Sequence, residues 1–140
     1  MKHLLSAGVA AHGMLLILSL IVLFHLLIIT GVIPFAVVWG GRLHSHSQML
    51  RFETVSIGLN LLMLAVVARA VGRLRLRVNA RFMQVALWLM ALLFLANTAG
   101  NLLAKTELER LVFTPLTLLL ALFSCRLAME QKKTAVPASA

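Results

Sequence analysis

The sequence predicts an all-α integral membrane protein, a four-helix bundle spanning the bilayer with both termini cytoplasmic. Three observations carry that prediction. The composition is 61% hydrophobic and only 12% charged, with mean hydropathy +1.00, which is too apolar for a water-soluble domain of 140 residues. Four apolar runs, at 8–30, 54–71, 80–104 and 111–129, approach or exceed the roughly 20 residues that cross a hydrocarbon core about 30 Å thick. Between the second and third runs, residues 69–81 hold five arginines, and cationic loops stay on the cytoplasmic side during insertion.

The first run follows Lys2, as in a cleavable signal peptide. However, Met14 to Ile29 is longer than most signal cores and no small-x-small site follows, so it reads as a retained span. Residues 31–52 form the first loop, where Pro34 and Gly40-Gly41 stop the helix from continuing. Trp39 beside Arg42 suits the headgroup zone, so this loop is expected along the outer interface. The second span is short, and Arg69 should reach from it to the inner surface. Pro115 falls in the first turn of the fourth span, where a missing N–H costs little. The tail 131–140 is small and polar and is expected to be flexible.

Charge distribution fixes orientation. Lys2, the five hairpin arginines, Arg126, Lys132 and Lys133 put nine basic residues on the side of the termini, against four at Arg42, Arg51, Lys105 and Arg110. That excess places the termini inside. The net charge of +9 flanks apolar spans and does not line one soluble face, which argues against nucleic acid as a partner. The expected partner of Arg69 to Arg81 is a bilayer with anionic headgroups, at about 1 kcal/mol per basic residue near the surface. A single cysteine, Cys125, excludes an intrachain disulfide.

Polar residues recur at one depth. Asn60 lies seven residues from Glu53, Asn97 seven from Ala104, Thr117 seven from Arg110, and His25 five from Thr30. At 1.5 Å per residue, each span therefore offers a hydrogen-bonding side chain about 7–10 Å below the outer surface. Asn97 and Asn101 share a face, with Gly100 between them to permit close approach. Lipid would leave such groups unpaired, so they are expected to point into the bundle. One role for this layer is interhelical glue. The sharper role is a ligand pocket of Trp39, Arg42, Glu53, Asn60, Asn97, Asn101 and Thr117, with Trp39 and Arg42 as lid and Glu53 at the rim.

Other chemistry is less supported. His44, His46 and Met49 are donors that suit copper(I), but nothing nearby completes a site, and they read as loop residues. His12 and His25, thirteen residues apart, point about 140° from one another, and no other span supplies a haem ligand. No cofactor is expected. The acids Glu53, Glu107, Glu109 and Glu130 all fall at span ends. Glu53 reads as a helix N-terminal anion, and Lys105 to Arg110 as a solvated connector. No nucleophile and base are paired, so nothing calls for an enzyme.

The stretches Val32-Ile-Pro-Phe-Ala-Val-Val-Trp-Gly-Gly-Arg-Leu43 and Asn97-Thr-Ala-Gly-Asn-Leu-Leu-Ala-Lys105 resemble those of small four-span bacterial inner-membrane proteins of uncharacterised function. The resemblance implies a bacterial cytoplasmic membrane location and supplies no activity. The leading expectation is a non-enzymatic protein that acts through helix contacts, as a homo-oligomer or as a subunit with a membrane protein partner. The alternative is a binder, carrier or enzyme for a small polar or lipid-headgroup ligand in the outer-leaflet pocket.

Overall fold

A computed structural model describes residues 5–135, those at 132–135 by backbone alone. Four helices alternate in direction: α1 (Ala7–Ile29), α2 (His46–Ala70), α3 (Ala80–Leu102) and α4 (Thr114–Ala135). All four are long and apolar enough to cross a membrane, the last counted from Glu109 to Gln131. Their outward faces are greasy, with Leu16, Leu62 and Leu92 each more than 60% exposed. Contiguous apolar surface on that scale suits lipid contact and not water. This is a multi-pass membrane bundle.

Local signals set the helix ends. Ser6 Oγ accepts from the Val9 N–H at 3.1 Å and starts α1, and Gly31, at φ +78°, follows its end. Asn79 Oδ1 accepts from the Arg81 N–H at 2.9 Å and starts α3. α2 departs from expectation, beginning eight residues before 54. Ser45 Oγ accepts from the Gln48 N–H at 3.2 Å, while Gln48 Oε1 accepts from the His44 N–H at 3.0 Å. This is a variant of the capping box, S-x-x-Q, in a stretch read as loop. At 25 residues, α2 is about 37 Å long by helical rise and overshoots the hydrocarbon core.

The fourth span also differs. Helical winding begins before 111 and runs through a wide π turn at Glu109–Phe113, in which the Thr114 N–H donates to the Glu109 carbonyl. Pro115 thus lies inside a helical stretch and not in a first turn. Its ring crowds the carbonyl four residues back and it lacks an N–H, and the π turn absorbs both defects. The expected flexible tail begins too early, because helix continues to Ala135; residues 136–140 lie outside the described residues.

Packing is uneven around the bundle. α3 lies along α4 and α1 along α2, α1 meets α4, and α2 and α3 meet only sparsely. The main core fills the half nearer the arginine hairpin, around Met14, Leu18, Leu87, Leu120 and Leu127. α1 comes close to α4 at Gly13, where an added Cβ would fall 2.5 Å from the Phe123 ring. Gly100, expected to provide such an approach, instead faces open space. A smaller cluster of Ile28, Val38 and Met49 sits at the opposite end.

The hairpin leaves α2 with Arg69 folded back, its guanidinium donating to the carbonyls of Leu76 and Val78. Arg73 donates to His12 Nε2 at 2.8 Å, while His12 Nδ1 meets the Gly8 carbonyl at 2.8 Å. Both ring nitrogens of His12 are thus in use. Arg75, Arg77 and Arg81 are exposed.

Candidate functional site: a polar cavity at the tryptophan end

At the end opposite the arginine hairpin, residues 31–45 return across the bundle and bring two short turns, Phe35–Val37 and Trp39–Gly41, over the helices. Trp39, Gly40 and Gly41 all adopt positive φ, at 56°, 67° and 67°. For a tryptophan this conformation costs about 1–2 kcal/mol, which something must offset. Two buried carboxylates do so.

The first is Glu53, which is fully buried. Trp39 Nε1 donates to its Oε1 at 2.7 Å, and His25 Nδ1 lies 2.5 Å from its Oε2. The expectation of a rim anion at a helix start is corrected here. The early start of α2 puts Glu53 about 10 Å into the helix, facing α1 and the returning loop. Two donors compensate the loss of water around its charge. The Trp39 ring also packs on Phe52 at 4.9 Å.

The second is Glu109, also buried and also expected in solvent. Both its oxygens accept from the Gly40 N–H, at 2.8 and 3.0 Å, and Thr106 Oγ1 donates to Oε2 at 2.6 Å. The solvated-connector reading of Lys105 to Arg110 therefore fails at Glu109. The π turn carries this residue, so the irregular winding caused by Pro115 and the seat on Gly40 belong to one feature.

A third polar group joins α3 to α4. The hydroxyls of Thr98 and Thr117 are hydrogen-bonded at 2.9 Å, and Asn101 Nδ2 donates to Thr117 Oγ1 at 3.4 Å. Here the glue role of the polar layer is visible, between two helices that pack closely along their length.

Among these three groups lies a cavity of about 230 Å³. His25, Trp39, Asn60, Asn97, Asn101 and Thr117 line it with Ser56 and Glu109, between apolar walls that include Phe24, Leu59, Met63, Phe94 and Phe113. Five of the seven residues expected to form a pocket therefore share one. Glu53 stands behind it, holding His25 and Trp39. Arg42 is not in its wall: it is exposed, with its side chain against Gly40, so the lid is Trp39 alone. Neither lysine nor arginine appears among the described lining residues.

Several cavity residues have unspent hydrogen-bonding capacity, the Ser56 hydroxyl and the side-chain oxygens of Asn60 and Asn101 among them. The Asn97 amide has no protein partner among the described residues and stands exposed at the cavity's open side. His25 has Nδ1 on Glu53, which leaves Nε2 for the cavity. Asn60 Nδ2 donates to the Ser56 carbonyl of its own helix at 2.8 Å. The donors at 44–49 disperse: His44 and His46 are exposed, while Met49 is packed in the small apolar cluster.

The fold and cavity define a class, small four-span membrane proteins with a polar chamber near one face. No protein-family profile, curated protein or solved structure matches the chain.

Proposed function

We propose that the chain lies in the bacterial cytoplasmic membrane with its termini inside, and binds the polar part of a small ligand in the cavity at its outer half. One observation carries this reading: His25 Nε2 and the Asn97 amide line one chamber with no protein partner among the described residues, while Thr117 and Glu109 in the same wall are held by hydrogen bonds. Apolar walls with a few fixed polar groups are the usual make-up of a ligand site. The chamber is pre-organised, because Glu53 fixes His25 and Trp39, and Glu109 fixes the turn above them. The hairpin arginines lie against anionic headgroups on the inner face.

The test is thermal unfolding in detergent with and without total bacterial lipid extract. Extract should raise the wild-type midpoint, and Asn101→Leu or Asn97→Ala should abolish the rise while leaving a monodisperse bundle. Variants that respond to extract as the wild type does would remove the cavity from consideration. A fluorescent reporter on the C-terminus should glow in the cytoplasm, and export of that reporter would reverse the orientation.

A second reading, association through helix faces with a copy of itself or another membrane protein, draws on Gly58 and Gly100. Both face open space, as glycines at a helix-helix contact would in a lone chain. Crosslinking between cysteines placed at 58 or 100 supports it, and a lone monomer by native mass spectrometry with no co-purifying protein overturns it.

A further inference from the structure

The cavity's chemistry and the position of its opening restrict what can enter. We propose that it takes the head of an uncharged or amine-bearing amphiphile, admitted sideways from the bilayer through the seam between α2 and α3, with its chain left in that seam. This rests on the cavity being a binding site and adds the ligand's chemical class and its route.

The route follows from the packing. α2 and α3 meet only sparsely, and both contribute to the cavity wall. Three lining residues are also exposed: Trp39, whose indole is held over the cavity by Glu53, and Leu59 and Asn97, which stand at an opening on the α2–α3 seam. Leu59 is near the middle of α2, about 20 Å from its start and about 16 Å from its end by helical rise. An opening at that depth faces hydrocarbon and admits a molecule already dissolved in lipid. The exposed amide of Asn97 at the same opening is costly against alkyl chains unless something passing there bonds it.

The head's class follows from charge. Phosphate and carboxylate ligands are held by arginine, lysine or helix N-termini, and among the described residues no basic side chain except His25 lines the cavity. Glu109 forms part of the wall, and Glu53 lies behind His25. An anion would enter beside two carboxylates. With Nδ1 on Glu53, His25 Nε2 is left to meet a hydroxyl, which can accept or donate there, and the neighbouring carboxylates favour an amine over an anion. The volume of about 230 Å³ is that of roughly seven or eight waters at about 30 Å³ each, enough for a glycerol or ethanolamine group and too small for the whole amphiphile.

Four probes separate these elements: monoolein, oleylamine and oleoyl lysophosphatidate share one chain and differ in head charge, and glycerol has a head without a chain. Each is titrated against the purified full chain in detergent, with the thermal midpoint and native mass spectrometry as readouts. Monoolein and oleylamine should saturate at concentrations at least tenfold below those needed for lysophosphatidate, and glycerol should have no effect. Leu59→Trp, which fills the opening, and Asn97→Leu, which removes its amide, should each weaken monoolein at least tenfold. Should Leu59→Trp fail to fold, Asn97→Leu decides alone, because that amide holds no protein partner among the described residues.

Lysophosphatidate binding as well as monoolein, and still sensitive to Asn97→Leu, overturns the head class and leaves the binding site standing. Glycerol matching monoolein overturns the route in the same way. Probes that bind equally to wild type and both variants, or no binding by any probe, overturn the site and this inference together.

Discussion

The two ends of the bundle are built differently. Toward the arginine hairpin, α1, α3 and α4 interlock around Met14, Leu18 and Leu127, with Gly13 letting the Phe123 ring come close. Toward the tryptophan turn, packing gives way to carboxylates, a histidine and threonines around an open space. One end is held by shape and the other by hydrogen bonds with specific partners. A membrane protein gains little from apolar burial between its helices, since lipid is equally apolar. The polar end is therefore not a weak spot in the core: it fixes the orientation of groups that a dry packed layer would leave no space for.

Substitutions can test that contrast. The largest effect is expected at Glu53. Glu53→Ala removes the acceptor for His25 and Trp39 and leaves both donors unpaired, which should lower stability by about 2–6 kcal/mol at about 1–3 kcal/mol for each unsatisfied group. Unfolding of the detergent-solubilised protein by a denaturing detergent checks it. The double variant His25→Leu with Glu53→Leu should recover much of that loss while abolishing ligand-dependent stabilisation. Recovery of both would break the contrast, because the polar end would then be replaceable by grease.

At the other end, Gly13→Ala should cost about 1–3 kcal/mol by overpacking Phe123, measured by the same unfolding assay, without changing the response to monoolein. A smaller loss, about 0.6 kcal/mol and at most about 2, is expected for Thr117→Val, which removes the hydroxyl that Thr98 and Asn101 share. Smallest is Arg75→Gln, an exposed position, which should stay within about 0.5 kcal/mol in detergent. Its effect should appear instead as weaker retention on vesicles containing phosphatidylglycerol.

Much of this could be read from residue order. The four spans follow from hydropathy, helical rise alone brings His25, Asn60, Asn97 and Thr117 to one level, and the i, i+4 spacing puts Asn101 on the face of Asn97. The start of α2 is written in Ser45-His-Ser-Gln48, which has the residues of a capping box, but it lies within a stretch that the glycines and Pro34 mark as loop. The buried glutamates were harder to find. An acid near a span end ordinarily faces headgroups and water, and only the path of residues 31–45 puts donors beside Glu53 and Glu109. Gly40 and Glu109 are 69 positions apart, and no local pattern couples them. Arg42 follows Trp39 by three residues, but the left-handed backbone at 39–41 lies between them and Arg42 ends outside the cavity wall.

The wide winding before α4 has a consequence for how the chamber's roof is kept in place. A π turn accommodates one residue more than regular α-helical winding, and one residue is worth about 100° of rotation about a helix axis. Replacing Pro115 with alanine restores the missing amide and lets that segment wind regularly. The carboxylate at 109 would then swing away from the Gly40 amide. Pro115, whose own side chain bonds to nothing, would in this way set the bearing of the latch that holds the tryptophan turn closed.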